Sequence, residues 1–262
     1  MAAILLDVDG VFHVSGEPIP GGARAVQELR AAGHRLRFVT NNTTRSRAQL
    51  ADELRGLGIE VEDEELQTTP RAAARALRGR RVLALTMQAI VDDLEAVELV
   101  GEGADAVLVG GADETEETGR VFSYMNLARA FAELEGGAEL YCLHKNRWWQ
   151  TARGPLLDAG VFVAGLEYAA GIEATVLGKP SAAYFGAALE ALDADAERAW
   201  IVGDDIEADI AGGQRFGLRT ILVRTGKFRP DALELAGVLP DMVISSIAQL
   251  PEHLERAERD LR

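Results

Sequence analysis

Basic residues are scarce in this chain, and lysine is the scarcest. Lys145, Lys179 and Lys227 are three of 27 basic side chains, set against 42 Asp and Glu, for a net charge of −15. Such a surface repels phosphate backbones and anionic lipid, which excludes nucleic acid and membrane surfaces as partners. The lysine shortage follows most simply from high genomic GC content, with adaptation to salt as a second reading. There is one cysteine, Cys142, so an internal disulfide is excluded and no oxidising compartment is required. It lies in the apolar run Leu140–Leu143 and reads as a small core hydrophobe. No apolar run reaches the roughly 18 residues of a membrane span. The stretch Ala2–Leu6 is too short for a signal segment and meets Asp7 at once, so a cytoplasmic location is expected. Internal repeats and low-complexity tracts are also missing.

What is present is a chain of 262 residues that is 48% hydrophobic, enough to bury one large or two modest cores. Ile4–Val8 is an apolar run ending in charge and Gly10, which predicts a buried strand and a turn. Pro20–Ala32 has helical apolar spacing and stops at Gly33. Arg35–Thr40 predicts a second strand and Ser46–Leu57 a second helix. The alternation returns at the other end. Strands are predicted at Ala199–Val202, Arg219–Arg224 and Met242–Ile244, and helices at Ala182–Leu192, Ala208–Phe216 and Pro251–Arg259. The middle is less regular, with strands at Arg81–Thr86, Ala106–Gly110, Glu139–Leu143 and Ala174–Gly178, and helices at Phe122–Leu134 and Gly165–Ala170. The pattern predicts an α/β fold, a doubly wound parallel sheet of Rossmann type. Both chain ends, 1–77 and 178–262, form its core, and a second α/β unit is inserted at 78–177.

Four short motifs each follow an apolar strand. Asp7-Val8-Asp9-Gly10 presents two carboxylates two residues apart, which tend to project to one side of a strand. Their repulsion is relieved by a hard cation that takes oxygen ligands, while a polar turn is the plainer reading. Thr40-Asn41-Asn42 offers a hydroxyl and an amide that could bond phosphate oxygens or cap the next helix. Gly178-Lys179-Pro180 places a rare lysine between a strand and a helix. Gly203-Asp204-Asp205, with Asp209 a turn later, delivers an acid cluster to a sheet edge, where helix-dipole preference alone would account for Asp205 and Glu207.

Taken in order, these motifs resemble the haloacid-dehalogenase-like phosphatase superfamily over nearly the whole chain. The insertion is similar to the large α/β cap of its nitrophenyl-phosphatase branch, subfamily IIA. The segments Phe122–Asn126, Gly165–Pro180 and Val202–Pro230 are similar to the subgroup of phospholysine phosphohistidine inorganic pyrophosphate phosphatases. Some animal members of that subgroup have altered the second acid of the first motif, whereas this chain keeps Asp9.

The resemblance implies a Mg²⁺-dependent phosphatase. Asp7 would be the nucleophile that becomes phosphorylated, and Asp9 the general acid and base. The Asp7 carboxylate, the Asp9 carbonyl and Asp204 would hold Mg²⁺. Thr40, Asn41 and the backbone at Val8 would hold the phosphoryl oxygens, and Lys179 would balance charge. Asp205 and Asp209 would stand behind them. Asn146, Arg147 and Trp148, in the run His144–Trp149, are candidates to contact the leaving group. Packing of the two tryptophans at an interface is the competing reading. The expected substrate is a small phosphate ester, pyrophosphate or phosphoramidate, with a homodimer formed through the cap. A phosphotransferase or mutase on the same core, or a catalytically silent phosphometabolite-binding protein, are the alternatives.

Overall fold

Apolar runs that end in a polar residue become parallel strands in this protein. The computed structural model describes residues 1–95, 97–151, 154–231, 233 and 237–260. In chain order the strands are β1 (Ala3–Asp7), β2 (His13–Val14), β3 (Glu17–Pro18), β4 (Arg35–Thr40), β5 (Leu66–Thr68), β6 (Arg81–Leu85), β7 (Glu98–Leu99), β8 (Ala106–Val109), β9 (Glu139–Cys142), β10 (Trp148–Thr151), β11 (Gly154–Leu157), β12 (Thr175–Val176), β13 (Ala199–Gly203), β14 (Arg219–Val223) and β15 (Met242–Ile244). The chain divides into two compact units. The first comprises Met1–Thr40, Ala51–Gln67 and the chain from Ala182 onward; the second comprises Asn41–Leu50 and Thr68–Ser181. The insertion expected at 78–177 lies inside the second unit.

The first unit is built on a six-stranded sheet of order β15-β14-β13-β1-β4-β5. β1 pairs in parallel with both β13 and β4, and β14 in parallel with β13 and β15. Ile4, Leu5 and Leu6 of β1 and Ile201 and Val202 of β13 have no exposed surface. Continuous apolar runs of this kind mark strands covered on both faces, as parallel strands with crossover helices must be. The chain leaves β1 toward β4 on one side and returns to β13 on the other. β1 is therefore where the winding reverses, the point at which open α/β sheets bind ligands beyond their strand carboxyl ends.

The second unit has its own parallel sheet, ordered β12-β9-β8-β6-β7. Along β8 the side chains alternate between two cores. Ala106 and Leu108 pack with Leu77, Ile90 and Leu143, while Val107 and Val109 pack with Leu134, Cys142 and Val163. That period of two is the strand's own geometry, and it shows the sheet covered on both faces. Cys142 is fully buried in this core, where desolvation pushes its thiol pKa up to about 12, so it packs as an inert hydrophobe.

Local structure departs from the sequence reading where side chains cap or turn the backbone. The helix expected at Phe122–Leu134 runs from Tyr124 to Glu135, because Ser123 accepts a hydrogen bond from the Asn126 amide and starts it, and a separate short helix, Glu116–Val121, precedes it. The helix expected at Ala208–Phe216 begins earlier with a wide turn at Ile206–Ala211, in which Ile210 N–H reaches the Asp205 carbonyl five residues back. The hairpins β2–β3 and β10–β11 lack long alternating runs, so the hydrophobic pattern does not announce them. β2 and β3 are joined by Ser15 and Gly16, both at positive φ (51° and 83°), the two-residue turn whose twist suits a hairpin. Among the described residues no helix is long and apolar enough to cross a membrane.

Phe38 of β4 is fully buried, its ring centroid 5.6 Å from that of Phe12. Phe38→Ala should destabilise the protein by about 3–5 kcal/mol through lost burial and a residual cavity. A urea titration should show a lower midpoint with an unchanged slope.

Candidate active site

Three adjacent strands deliver the first, second and fourth motifs to one sheet edge. β1 ends on Asp7, β4 ends on Thr40, and β13 ends on Gly203 just before Asp204. The parallel register sets Asp7 beside Val39 and Leu6 beside Val202, so the three carboxyl ends are level.

Asp7, Asp204 and Asp209 are buried, with exposures of 6%, 4% and 0%. Each offers a carboxylate oxygen, and these oxygens lie within 4.8 Å of one another. Burial is the largest cause that raises the Asp204 pKa to about 7, and the neighbouring charge of Asp209 adds to it; Lys227 opposes both. Three buried acids in so small a space repel one another unless protons or a cation intervene. All-oxygen donors suit a hard divalent ion such as Mg²⁺, so these residues fit the metal that the sequence implies.

Glycines make room for this cluster. At Gly226, φ +58°, an added Cβ would stand 1.8 Å from Asp204 Oδ2 and 2.6 Å from the Gly10 Cα. At Gly10, φ +80°, it would stand 1.9 Å from the same oxygen. The backbone N–H of Lys227 donates to Asp204 Oδ2 at 2.6 Å, and its ammonium donates to Asp205 Oδ2 at 2.9 Å. Asp205 Oδ1 accepts from the N–H groups of Glu207 and Ala208, which makes it the N-cap of the following turn. Asp209 Oδ2 accepts from the Asp205 N–H at 3.2 Å.

Asp9 is half-exposed. Its Oδ2 accepts from the Thr40 hydroxyl at 3.1 Å. Thr40 is itself fixed by Tyr184, whose phenol oxygen accepts from the Thr40 N–H at 3.1 Å and lies 3.0 Å from the Thr40 carbonyl and 2.7 Å from that of Gln67. Val8 is buried, and its carbonyl accepts from the N–H groups of Val11 and Phe12, which tightens the turn after β1.

The third motif belongs to the second unit. Lys179 is 2% exposed. The Asn41 carboxamide clasps its backbone, donating to the Lys179 carbonyl and accepting from the Lys179 N–H, both at 2.9 Å. An added Cβ at Gly178 would lie 2.3 Å from Thr69 Cγ2 and 2.4 Å from the Leu143 carbonyl oxygen, so only glycine lets the loop pass there. In the run His144–Trp149, Lys145 pairs with Glu167 at 2.6 Å, and Asn146 and Arg147 lead into β10, where Trp148 sits opposite Leu157. Buried His144 anchors the run. Its Nδ1 accepts from the Asn146 N–H, and its Nε2 lies 3.1 Å from Thr43 Oγ1 and 3.6 Å from Asp158 Oδ1.

Sequence reasoning passed over Tyr184, Gly226 and Lys227. Tyr184 lies in an apolar helix and carries no motif signal. Lys227 did carry one, as one of only three lysines next to a Thr-Gly turn.

A divalent cation should raise the wild-type melting temperature, and Gly226→Ala should remove that rise by forcing Asp204 off its position. Thermal scans with and without Mg²⁺ check this; an unchanged Mg²⁺ response in the variant would contradict the assignment of Asp204.

The sequence and fold have named relatives. Residues 4–100 match the family model described as haloacid dehalogenase-like hydrolase, and residues 176–250 match a second HAD-hydrolase-like model. The chain is 38% identical over 255 residues to the phospholysine phosphohistidine inorganic pyrophosphate phosphatase of Xenopus laevis, covering 94% of this chain and 92% of that one. Its structure matches p-nitrophenyl phosphatase from Archaeoglobus fulgidus at a TM-score of 0.88 and 29% identity, over 96% of this chain and 98% of the other. It also matches glycerol phosphate phosphatase from Mycobacterium tuberculosis, solved in complex with magnesium, at a TM-score of 0.83 and 28% identity, over 95% and 76% of the two chains. Four ordered strand-end motifs, an α/β core that places the acids of the first and last together, and these relatives give one answer: the chain belongs to the haloacid dehalogenase-like hydrolases, in the large-cap phosphatase branch whose members act on phosphate bonds.

Proposed function

We propose that the protein is a Mg²⁺-dependent phosphatase that works through an aspartyl phosphate on Asp7. The convergence of Asp7, Asp204 and Asp209 at one sheet edge, with Asp9 and Thr40 beside it, carries this reading. Phosphoryl transfer asks little of the protein beyond a nucleophile, positioning and charge stabilisation. An oxygen of the Asp7 carboxylate attacks phosphorus, and the bond from phosphorus to the leaving oxygen breaks. Asp9, protonated, gives its proton to that oxygen. In the second half Asp9 takes a proton from water, whose oxygen attacks phosphorus and displaces Asp7, releasing phosphate.

Asp7, Asp204 and the Asp9 carbonyl would hold Mg²⁺, with Asp209 close behind. When bound, the ion neutralises phosphoryl charge that the protein's own −15 would otherwise repel. Thr40 and the backbone at Val8 orient the phosphoryl oxygens. Lys179 supplies positive charge, and Asn41, by clasping its backbone, sets that loop and adds its amide to the phosphate side. Asp205 supports the metal side through Lys227. Asn146, Arg147 and Trp148 of the second unit, acting as the cap, contact the leaving group. The substrate is a small phosphate ester, pyrophosphate or a phosphoramidate, handled in the cytoplasm. A homodimer through the cap is supported by Tyr124, Met125 and Tyr168, which are 82%, 69% and 92% exposed.

Phosphate release from p-nitrophenyl phosphate, pyrophosphate and a panel of small metabolites should require Mg²⁺ and stop with EDTA. Asp7→Asn should lower kcat by at least about 10³-fold. Wild-type turnover in that variant would remove Asp7 as nucleophile, and no release from any compound would favour a silent binding protein.

Asp204 gives a pH signature. Its pKa is raised from 3.8 to about 7, so the metal-free fold holds a proton that the unfolded chain releases. The stability this contributes is present below pH 3.8 and is lost as pH rises through about 7. Mg²⁺ competes with that proton. Its stabilising effect in thermal scans should therefore be larger at about pH 8 than at about pH 5. Equal shifts at both values would contradict a cation on Asp204.

A further inference from the structure

Asp9 moves the proton in both half-reactions proposed above, so whatever orients its carboxyl plane controls both. Its Oδ2 is held by the Thr40 hydroxyl. Its Oδ1 faces Nε2 of His13 at 3.9 Å, and the same Nε2 lies 3.9 Å from Oε1 of Glu53. His13 is only 3% exposed, yet among the described residues neither ring nitrogen has a hydrogen-bond partner. A buried imidazole without partners carries an unmet desolvation cost, and such groups in native structures call for a reason. The backbone keeps the ring there. Asp9 and His13 form a β-bridge, Gly10 N–H donates to the His13 carbonyl at 2.7 Å, and the Ser15-Gly16 turn fixes the short strand that carries the histidine.

We propose that His13, steadied by Glu53, is a positioning residue for Asp9. The imidazole lies between the two carboxylates and opposes the free rotation of Asp9 that one hydrogen bond from Thr40 would leave. It sets the direction in which Asp9 presents its proton. His13 acts through Asp9 and does not touch the substrate. This rests on the phosphatase reading and adds to it a second orienting contact that the four motifs do not contain.

The chemistry of the leaving group isolates this role. p-Nitrophenolate departs without a proton, whereas an alkoxide needs one from Asp9. The test compares kcat/KM for p-nitrophenyl phosphate with that for an alkyl phosphate such as glycerol phosphate, in the Mg²⁺-loaded full chain. His13→Leu should lower the alkyl value about tenfold or more and the nitrophenyl value less than about threefold. His13→Gln, which keeps an N–H donor, should recover part of the loss. Glu53→Gln should move the ratio in the same direction by about threefold, and it serves as the decisive variant if His13→Leu loses its thermal transition. Equal losses on both substrates, or an unchanged ratio in all three variants, would overturn the role of His13. Asp7→Asn is run alongside: release that persists there overturns the nucleophile reading itself, a result distinct from any change in the ratio.

Discussion

Three buried carboxylates whose oxygens come within 4.8 Å of one another repel strongly when all are charged and no cation is bound. Much of the first unit's local structure answers that constraint. Gly10 and Gly226 take positive φ and leave no Cβ where Asp204 must sit. The Lys227 N–H and ammonium supply donors on one side, and Asp205 is drawn off as a helix cap. Burial, with the charge of Asp209 adding to it, appears as the raised pKa of Asp204. Such an all-oxygen cluster fits a divalent cation, whose binding would replace repulsion with coordination.

Asp9 belongs to the same motif as Asp7 yet stands in a different environment. Asp7 is buried among acids; Asp9 is half-exposed and bonded to Thr40. Two carboxylates two residues apart thus stand in different environments, which suits the different tasks proposed for them, since environment rather than residue type decides the role. Tyr184 contributes from a distance. By tying the backbone of Thr40 to that of Gln67, it holds the hydroxyl that in turn holds Asp9.

In the second unit the same economy of anchoring recurs. Asn41 binds the Lys179 backbone in both directions, and His144 joins Thr43, Asn146 and Asp158 around one buried ring. The segment following the second motif is therefore built into the loop of the third and into the run that carries Arg147 and Trp148.

The sequence by itself determined the α/β class, the family and the chemical identity of the motifs. Parallel strands buried on both faces leave a continuous apolar run, and the polar residue at the end of each run is where the ligand edge begins. Asp7, Thr40 and Asp204 were legible for that reason. Tertiary structure alone decided which acids meet. Asp209 joins Asp7 and Asp204 because a wide turn swings it back over Gly203, while Asp205, its near neighbour in sequence, caps that turn. It also decided the place of His13, which the turn at Gly10–Phe12 brings back beside Asp9. Spacing along a chain records which residues share a strand or a helix face. Which buried groups confront one another across strands and turns depends on long-range packing, and the electrostatics of this site are set at those meetings.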